Sequence, residues 1–453
     1  MFSLARVHKK NYTELFKLGL PILVTQVGII TVSFADTIMV GKYGTHELAS
    51  AGFVNNLYLV ATVSLIGFAA GMTPVVGAFF GNRELENAGE AWKKGLVLNV
   101  LLSLAVTLIM GVLYFFLPRL NQPEELMPLI RSYYLIILAT ILPGSIFGCC
   151  QQTANGLTDT AMPMWIMIGG NLVNVSCNYL LIFGKFGLPE MGLTGAGIAT
   201  LITRYLMACA ILAVMFTSKR YAPLKAGFRR SDHPELTRKV WVTSYPIMIQ
   251  HGVECSLWAV GAVVCGWFGK LQLASYQIVN TIGQLGFMVY LSATIAVSIR
   301  VANFTGVRDI AGITSTARAG LHIVLGLALL ASLVFLIFGE NLIGLFTDDE
   351  GVILAGVPLL VPLIMYQFCD ALQLNFGNAL RGTSDVKPLL VVSGVSYLVI
   401  GIPAMYLFGV SADLGNVGVY YSFCAALLCA SVMLVFYFRR AVKNIEKENF
   451  KTL

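Results

Sequence analysis

Charge is what this sequence has least of. Of its 453 residues, Lys and Arg number 30 and Asp and Glu 23, so 12% of the chain is charged, against roughly 25% in soluble domains. A water-exposed surface cannot be built from so few charges. With 57% hydrophobic residues and a mean hydropathy of +0.78, a bilayer is the one solvent in which the chain avoids exposing large apolar patches. Several chemical constellations are missing as well. There is no G-x-x-x-x-G-K-[S/T] loop for nucleotide phosphates, no H-E-x-x-H and no G-x-S-x-G, which speaks against ATP-driven pumping and against these hydrolase mechanisms. No cofactor is expected, and energy must come from an ion gradient or a partner.

The nine cysteines (among them Cys149, Cys150 and Cys265) lie in apolar stretches without metal-ligand spacing and read as small packing residues. Met1 to Lys10 is polar and basic, with no short apolar core and cleavage site after it. The first helix is therefore expected to serve as its own insertion signal.

What the chain does have is long apolar runs, each able to cross a bilayer of about 30 Å. Six fall near residues 15–40, 51–80, 94–117, 129–150, 161–183 and 193–217, and six more near 240–268, 276–299, 315–338, 352–380, 388–408 and 415–438. The expected fold class is an all-α integral membrane protein of about twelve transmembrane helices.

The net charge of +7 has its explanation in topology rather than in nucleic acid. Placing both termini in the cytoplasm puts 24 of the 30 basic residues inside, Arg6, Arg230 and Arg381 among them. Lys42, Arg119, Arg131, Lys185 and Lys270 stay outside, and Arg204 lies within a helix. Such an asymmetry sets the orientation of a multi-pass membrane protein.

The chain also repeats itself. At a constant offset of 225 residues, Pro21 aligns with Pro246, Gly41 with Gly266, Gly44 with Gly269, Asn55 with Asn280, Gly81 with Gly306, Arg83 with Arg308 and Pro163 with Pro388. Chance pairs Leu with Leu in apolar helices, but Gly, Pro, Asn and Arg in one register indicate duplication. The expected organisation is a six-helix lobe over 1–218, a cytoplasmic linker over 219–239 and a second six-helix lobe over 240–453. An even number of helices per lobe makes the copies parallel.

Four ionisable residues fall well within the apolar runs, away from their ends: Asp36, Arg204, Glu254 and Asp370. A charge at mid-bilayer costs about 2.5–3.5 kcal/mol on insertion scales and persists where a cavity, partner or ion compensates it. Three of the four are acidic, as a cation or proton site requires. Tyr366 precedes Asp370 by one helical turn, so phenol and carboxylate share a face. Two carboxylates and a phenol suit Na+, a hard ion taking oxygen ligands, and equally suit one shared proton. Asn174 and Asn178 are one turn apart and read either as part of a polar site or as interhelical hydrogen-bonding glue. Pro21 and Pro246 each remove a backbone hydrogen bond and permit a bend.

Taken in order, these pieces resemble the multidrug and toxin extrusion (MATE) family, in its NorM-like bacterial branch. The resemblance spans nearly the whole chain. It rests on Pro21, on Phe34 to Gly41, on Thr73-Pro74-Val75-Val76, on Asn174 and Asn178 followed by Phe183 to Gly187, on Gly252-Val253-Glu254, on Val297 to Val301 and on Tyr366 to Gln373. It implies two pseudo-symmetric lobes that export small cationic, amphipathic drug-like substrates in exchange for Na+ or H+. It also implies that Glu254, Asp370 and Tyr366 correspond to a cation-binding and coupling site, with the same three as Na+ ligands. Asp36, Asn174 and Asn178 correspond to an acidic site in the first lobe, and Pro21 to a conformational hinge. The alternative is export of a lipid-linked precursor on the same plan.

Overall fold

Inside hydrocarbon every backbone N–H and C=O must find its partner within the chain, so apolar runs of this length become helices. The computed structural model describes residues 9–120, 122–229 and 233–452, and all regular structure among them is helical. Twelve of its helices are long and apolar enough to span a membrane. They are α1 (Lys9–Tyr43), α2 (Thr45–Gly81), α3 (Leu85–Leu120), α4 (Glu124–Gly156), α5 (Ala161–Ile182), α6 (Gly192–Thr217), α7 (Pro234–Trp267), α8 (Lys270–Gly306), α9 (Ile310–Gly344), α10 (Glu350–Gly382), α11 (Lys387–Ser411) and α12 (Gly415–Asn449). Arg6 and Arg230, counted on the cytoplasmic side above, lie outside the described residues.

The repeat in the sequence is repeated in the backbone. Among the described residues, six non-glycine residues have positive φ, and they fall at matching turns of the two halves: Arg83 (φ 61°) and Arg308 (55°), Thr158 (63°) and Ser384 (61°), Phe186 (57°) and Asp413 (55°). The first pair closes its helices identically. Arg83 N donates to Phe80 O at 3.1 Å and Glu84 N to Phe79 O at 2.9 Å, while Arg308 N donates to Thr305 O at 3.1 Å and Asp309 N to Phe304 O at 2.9 Å. A left-handed residue just past the helix lets the chain turn back and satisfies the last carbonyls.

The chain forms two compact units. One is Val24–Met248; the other joins the chain up to Leu23 with the chain from Ile249 onward. The boundary therefore crosses α1 and α7, in each case two residues after a proline, Pro21 or Pro246. In the first unit, Met72, Val75, Val76, Trp92, Cys149 and Cys150 form one fully buried cluster, and Val54, Leu117, Ile130 and Tyr134 belong to another. In the second, Tyr290, Val324, Ala328, Ala371 and Leu374 pack together.

The segment after α6 is ordered against the first unit. Its short helix Ala222–Phe228 lies so close to α3 that a Cβ at Gly227 would meet the Glu86 carbonyl and one at Gly89 that of Leu224. Asp159 holds the entry to this segment, accepting from the Tyr221 hydroxyl at 2.7 Å and pairing with Arg220 at 2.9 Å. The fully buried Glu90 holds the exit, accepting the His233 backbone N–H at 2.6 Å. α7 begins at Pro234, so the last residues of the sequence-expected linker are already helix.

Candidate functional site

Each unit carries an acidic cluster within its helices. In the first, α1 presents Asp36 toward α5. Asn178 Nδ2 donates to Asp36 Oδ1 at 2.5 Å and to Asn174 Oδ1 at 3.1 Å. The two asparagines are one turn apart, and both are buried. Arg204, whose partner the sequence did not name, acts on Asp36 through its charge from α6. Tyr133 also lies within electrostatic reach of Asp36 and donates to Asn55 Oδ1 at 3.4 Å. The structure thus brings Asp36, Asn174 and Asn178 into one hydrogen-bonded group.

The second unit is built on α10. Tyr366, Gln367, Asp370, Gln373 and Asn378 are all buried along it, and the three- and four-residue spacing of Tyr366, Gln367, Asp370 and Gln373 puts them on one face. Asp370 is 1% exposed and its Oδ2 has no hydrogen-bond partner. Gln367 is fully buried with neither amide atom partnered, and the Tyr290 hydroxyl from α8 is unpartnered too. Glu254 on α7 is half-buried and its charge reaches Asp370. Tyr366 feels both carboxylates, and its ring meets Trp258, one turn beyond Glu254, edge-on at 5.5 Å. Gly286 on α8 gives this group room: a Cβ there would stand 2.9 Å from Gln367 Oε1 and 3.2 Å from the Tyr290 hydroxyl.

Three features of this cluster escape the sequence reading. Arg381, expected in a cytoplasmic loop, lies in the last turn of α10. There its guanidinium donates to Gln250 Oε1 at 3.0 Å and Asn378 Oδ1 at 3.5 Å, and its charge acts on Glu254. The helix runs on to Gly382 because the left-handed Ser384 ends it only there, which keeps Arg381 inside. Gln367 and Gln373 were legible as polar residues three positions either side of Asp370. Tyr397, which accepts from Gln373 Nε2 at 3.0 Å, sits in a π-helical stretch of α11, Gly394–Gly401, and no spacing rule for α-helices places it there.

Buried carboxylate, phenol and amide oxygens without partners provide ligands for a hard monovalent cation, and two neighbouring carboxylates can instead share a proton. Among the described residues there is no group of three or more His, Cys, Asp or Glu side chains that could hold a metal ion. Twelve spanning helices in two related sets, each with an intramembrane acid, are the architecture of a multi-pass membrane transporter.

Comparison with known proteins agrees. The MatE family model matches residues 21–180 and again 246–407, two stretches whose starts differ by the 225 residues of the internal repeat. The chain belongs to the MatE family, and is a transporter rather than an enzyme. Among its relatives, the multidrug resistance protein NorM of Vibrio cholerae is 28% identical over 440 residues, covering 94% of this chain and 95% of that protein. NorM of Photobacterium profundum is 26% identical over 434 residues, with the same coverage. The fold is that of the Vibrio cholerae MATE transporter VcmN in its bent form, with a TM-score of 0.86 at 19% identity over 97% of this chain and 98% of that one. A MOP superfamily transporter from Pyrococcus furiosus superposes with a TM-score of 0.87 at 17% identity, covering 96% and 97%.

Proposed function

We propose that this chain is a secondary multidrug efflux transporter that exports small cationic, amphipathic drugs in exchange for Na+ or H+ across a bacterial inner membrane, with both termini cytoplasmic. The observation that carries the reading is Asp370, buried with an unpartnered carboxylate oxygen beside Tyr366 and Gln367 and within reach of Glu254. A buried charge without a partner is costly, and an arriving cation or proton removes that cost. The names of the NorM relatives support the drug substrates, and no cofactor or ATP is required.

In this mechanism residues 1–218 and 240–453 act as lobes joined by 219–239. The coupling ion binds Glu254, Asp370 and Tyr366, with Na+ held by their oxygens or a proton by one carboxylate. The cationic substrate is held near Asp36, Asn174 and Asn178, and Pro21 lets α1 bend as the lobes exchange access. Exchange of one monovalent ion for one monovalent cationic drug moves no net charge, so the concentration gradient of the ion drives it: a tenfold gradient supplies about 1.4 kcal/mol and supports roughly tenfold accumulation.

The test is ethidium movement in reconstituted vesicles under separate Na+ and H+ gradients. One of the two gradients should drive it in the native protein, and Glu254→Gln and Asp370→Asn should each reduce that movement by roughly tenfold or more. Movement that ignores both gradients, or survives both substitutions, overturns the proposal.

A further inference from the structure

The first unit carries a second built feature, remote from Asp36, at one end of its helices. A cleft of about 590 Å³ opens between α3 and α7, lined by Lys94, Leu98, Pro234, Thr237, Arg238 and Trp241. Helix lengths fix its depth. The 36 residues of α3 extend about 54 Å at 1.5 Å per residue, so roughly 12 Å projects beyond each side of a hydrocarbon core about 30 Å thick. Lys94 stands about 13 Å along α3, and Trp241 about 10 Å along α7, which also overshoots the core. With each helix centred on the core, both fall near the border between headgroups and hydrocarbon, with Arg238 one turn further toward water.

Each lining residue suits that level. Trp241 packs against Phe68 at 5.6 Å and Tyr245 at 6.4 Å, yet stays 44% exposed, as aromatic side chains do where hydrocarbon meets headgroups. Toward the bilayer centre the cleft continues into an exposed apolar face of α3 made by Val97, Leu101, Leu104 and Leu108. At its water end it offers an ammonium, a guanidinium and the Thr237 hydroxyl. Cations with a hydroxyl donor above an apolar track match a phosphate with acyl chains below it. They also oppose entry of a cationic drug by this route.

The geometry points to a binding site for an anionic phospholipid, its phosphate held by Lys94, Arg238 and Thr237 and an acyl chain lying along Leu98 and the exposed face of α3. Two acids weaken the site: Glu235, exposed in the first turn of α7 three residues before Arg238, and the fully buried Glu90, one turn before Lys94 on α3.

The test uses the full chain in nanodiscs containing either brominated phosphatidylglycerol or brominated phosphatidylcholine. The Trp241 contribution to fluorescence quenching is taken as the difference between the native protein and Trp241→Phe. Phosphatidylglycerol should quench it selectively, with a preference of roughly fivefold per cation. Lys94→Gln and Arg238→Gln should each lose about that factor, and Glu235→Gln, far from any buried contact, should raise the preference. Glycerol phosphate in solution should not relieve the quenching. Equal quenching by the two lipids, indifference to all three charge changes, or relief by soluble glycerol phosphate overturns the assignment. Melting temperatures confirm that each variant is folded.

Discussion

The two acids at the heart of this molecule are treated in opposite ways. Asp36 is served by the protein itself, with a short hydrogen bond from Asn178, a second asparagine behind it and the charge of Arg204 nearby. Asp370 is more deeply buried and yet keeps an oxygen unpartnered, beside a glutamine with neither amide atom satisfied. A group whose partners are built in contributes to the fold, whereas one whose partners are withheld awaits something from outside. The duplication makes the contrast sharper, because the position equivalent to Asp36 in the second half is Gly261. The two acids did not descend from one ancestral site.

The comparison breaks most readily at the second unit. Asp370→Asn should reduce ion-driven efflux by roughly tenfold to a hundredfold, the scale of losing about 1–3 kcal/mol of ion interaction, while leaving the melting temperature unchanged or higher. Vesicle efflux and thermal unfolding read the two halves of that statement. If Asp370→Asn instead lowers the melting temperature while efflux stays intact, Asp370 is structural and the contrast is false. Asn178→Ala should differ by lowering stability in addition to any effect on substrate handling. It strips Asp36 of its donor and should cost about 1–3 kcal/mol of stability, visible as a lower melting temperature, and an unchanged melting curve would show that Asp36 is as poorly served as Asp370.

A smaller effect sharpens the geometry of the second site. Gly286→Ala puts a methyl group against Gln367 Oε1 and the Tyr290 hydroxyl, an overpacking worth about 1–3 kcal/mol. It should raise the ion concentration for half-maximal efflux by several-fold without abolishing transport. Affinity unchanged in this variant would remove Gln367 and Tyr290 from the ion's surroundings. The smallest effect is expected at Pro21→Ala, which restores a helical hydrogen bond in α1. It should slow turnover modestly while ion affinity stays native, so a change in affinity would place Pro21 in binding rather than in bending.

Much of this contrast was legible in the sequence, and the reason for the rest is physical. The twelve helices follow from hydropathy because a bilayer allows no other use for such runs. The residues Asp36, Glu254, Asp370, Tyr366, Asn174 and Asn178 stood out because polar groups in apolar helices are costly. Hydropathy does not report pairing across helices, and Asp36 meets Asn178 over a separation of 142 residues. Nor does it say where a basic residue near a helix end will turn. Arg381 reads as a loop residue until its hydrogen bond to Gln250 on α7 places it among the helices.

The duplicated turns carry a consequence for handling the protein. Arg83, Arg308, Thr158, Ser384, Phe186 and Asp413 each hold a left-handed conformation that costs an L-residue about 1 kcal/mol or more and costs glycine almost nothing. Glycine at the exposed positions among them relaxes the backbone without touching either acid cluster. Because the turns come in pairs, a substitution that helps in one half nominates its counterpart in the other, a symmetric route to a sturdier protein for purification.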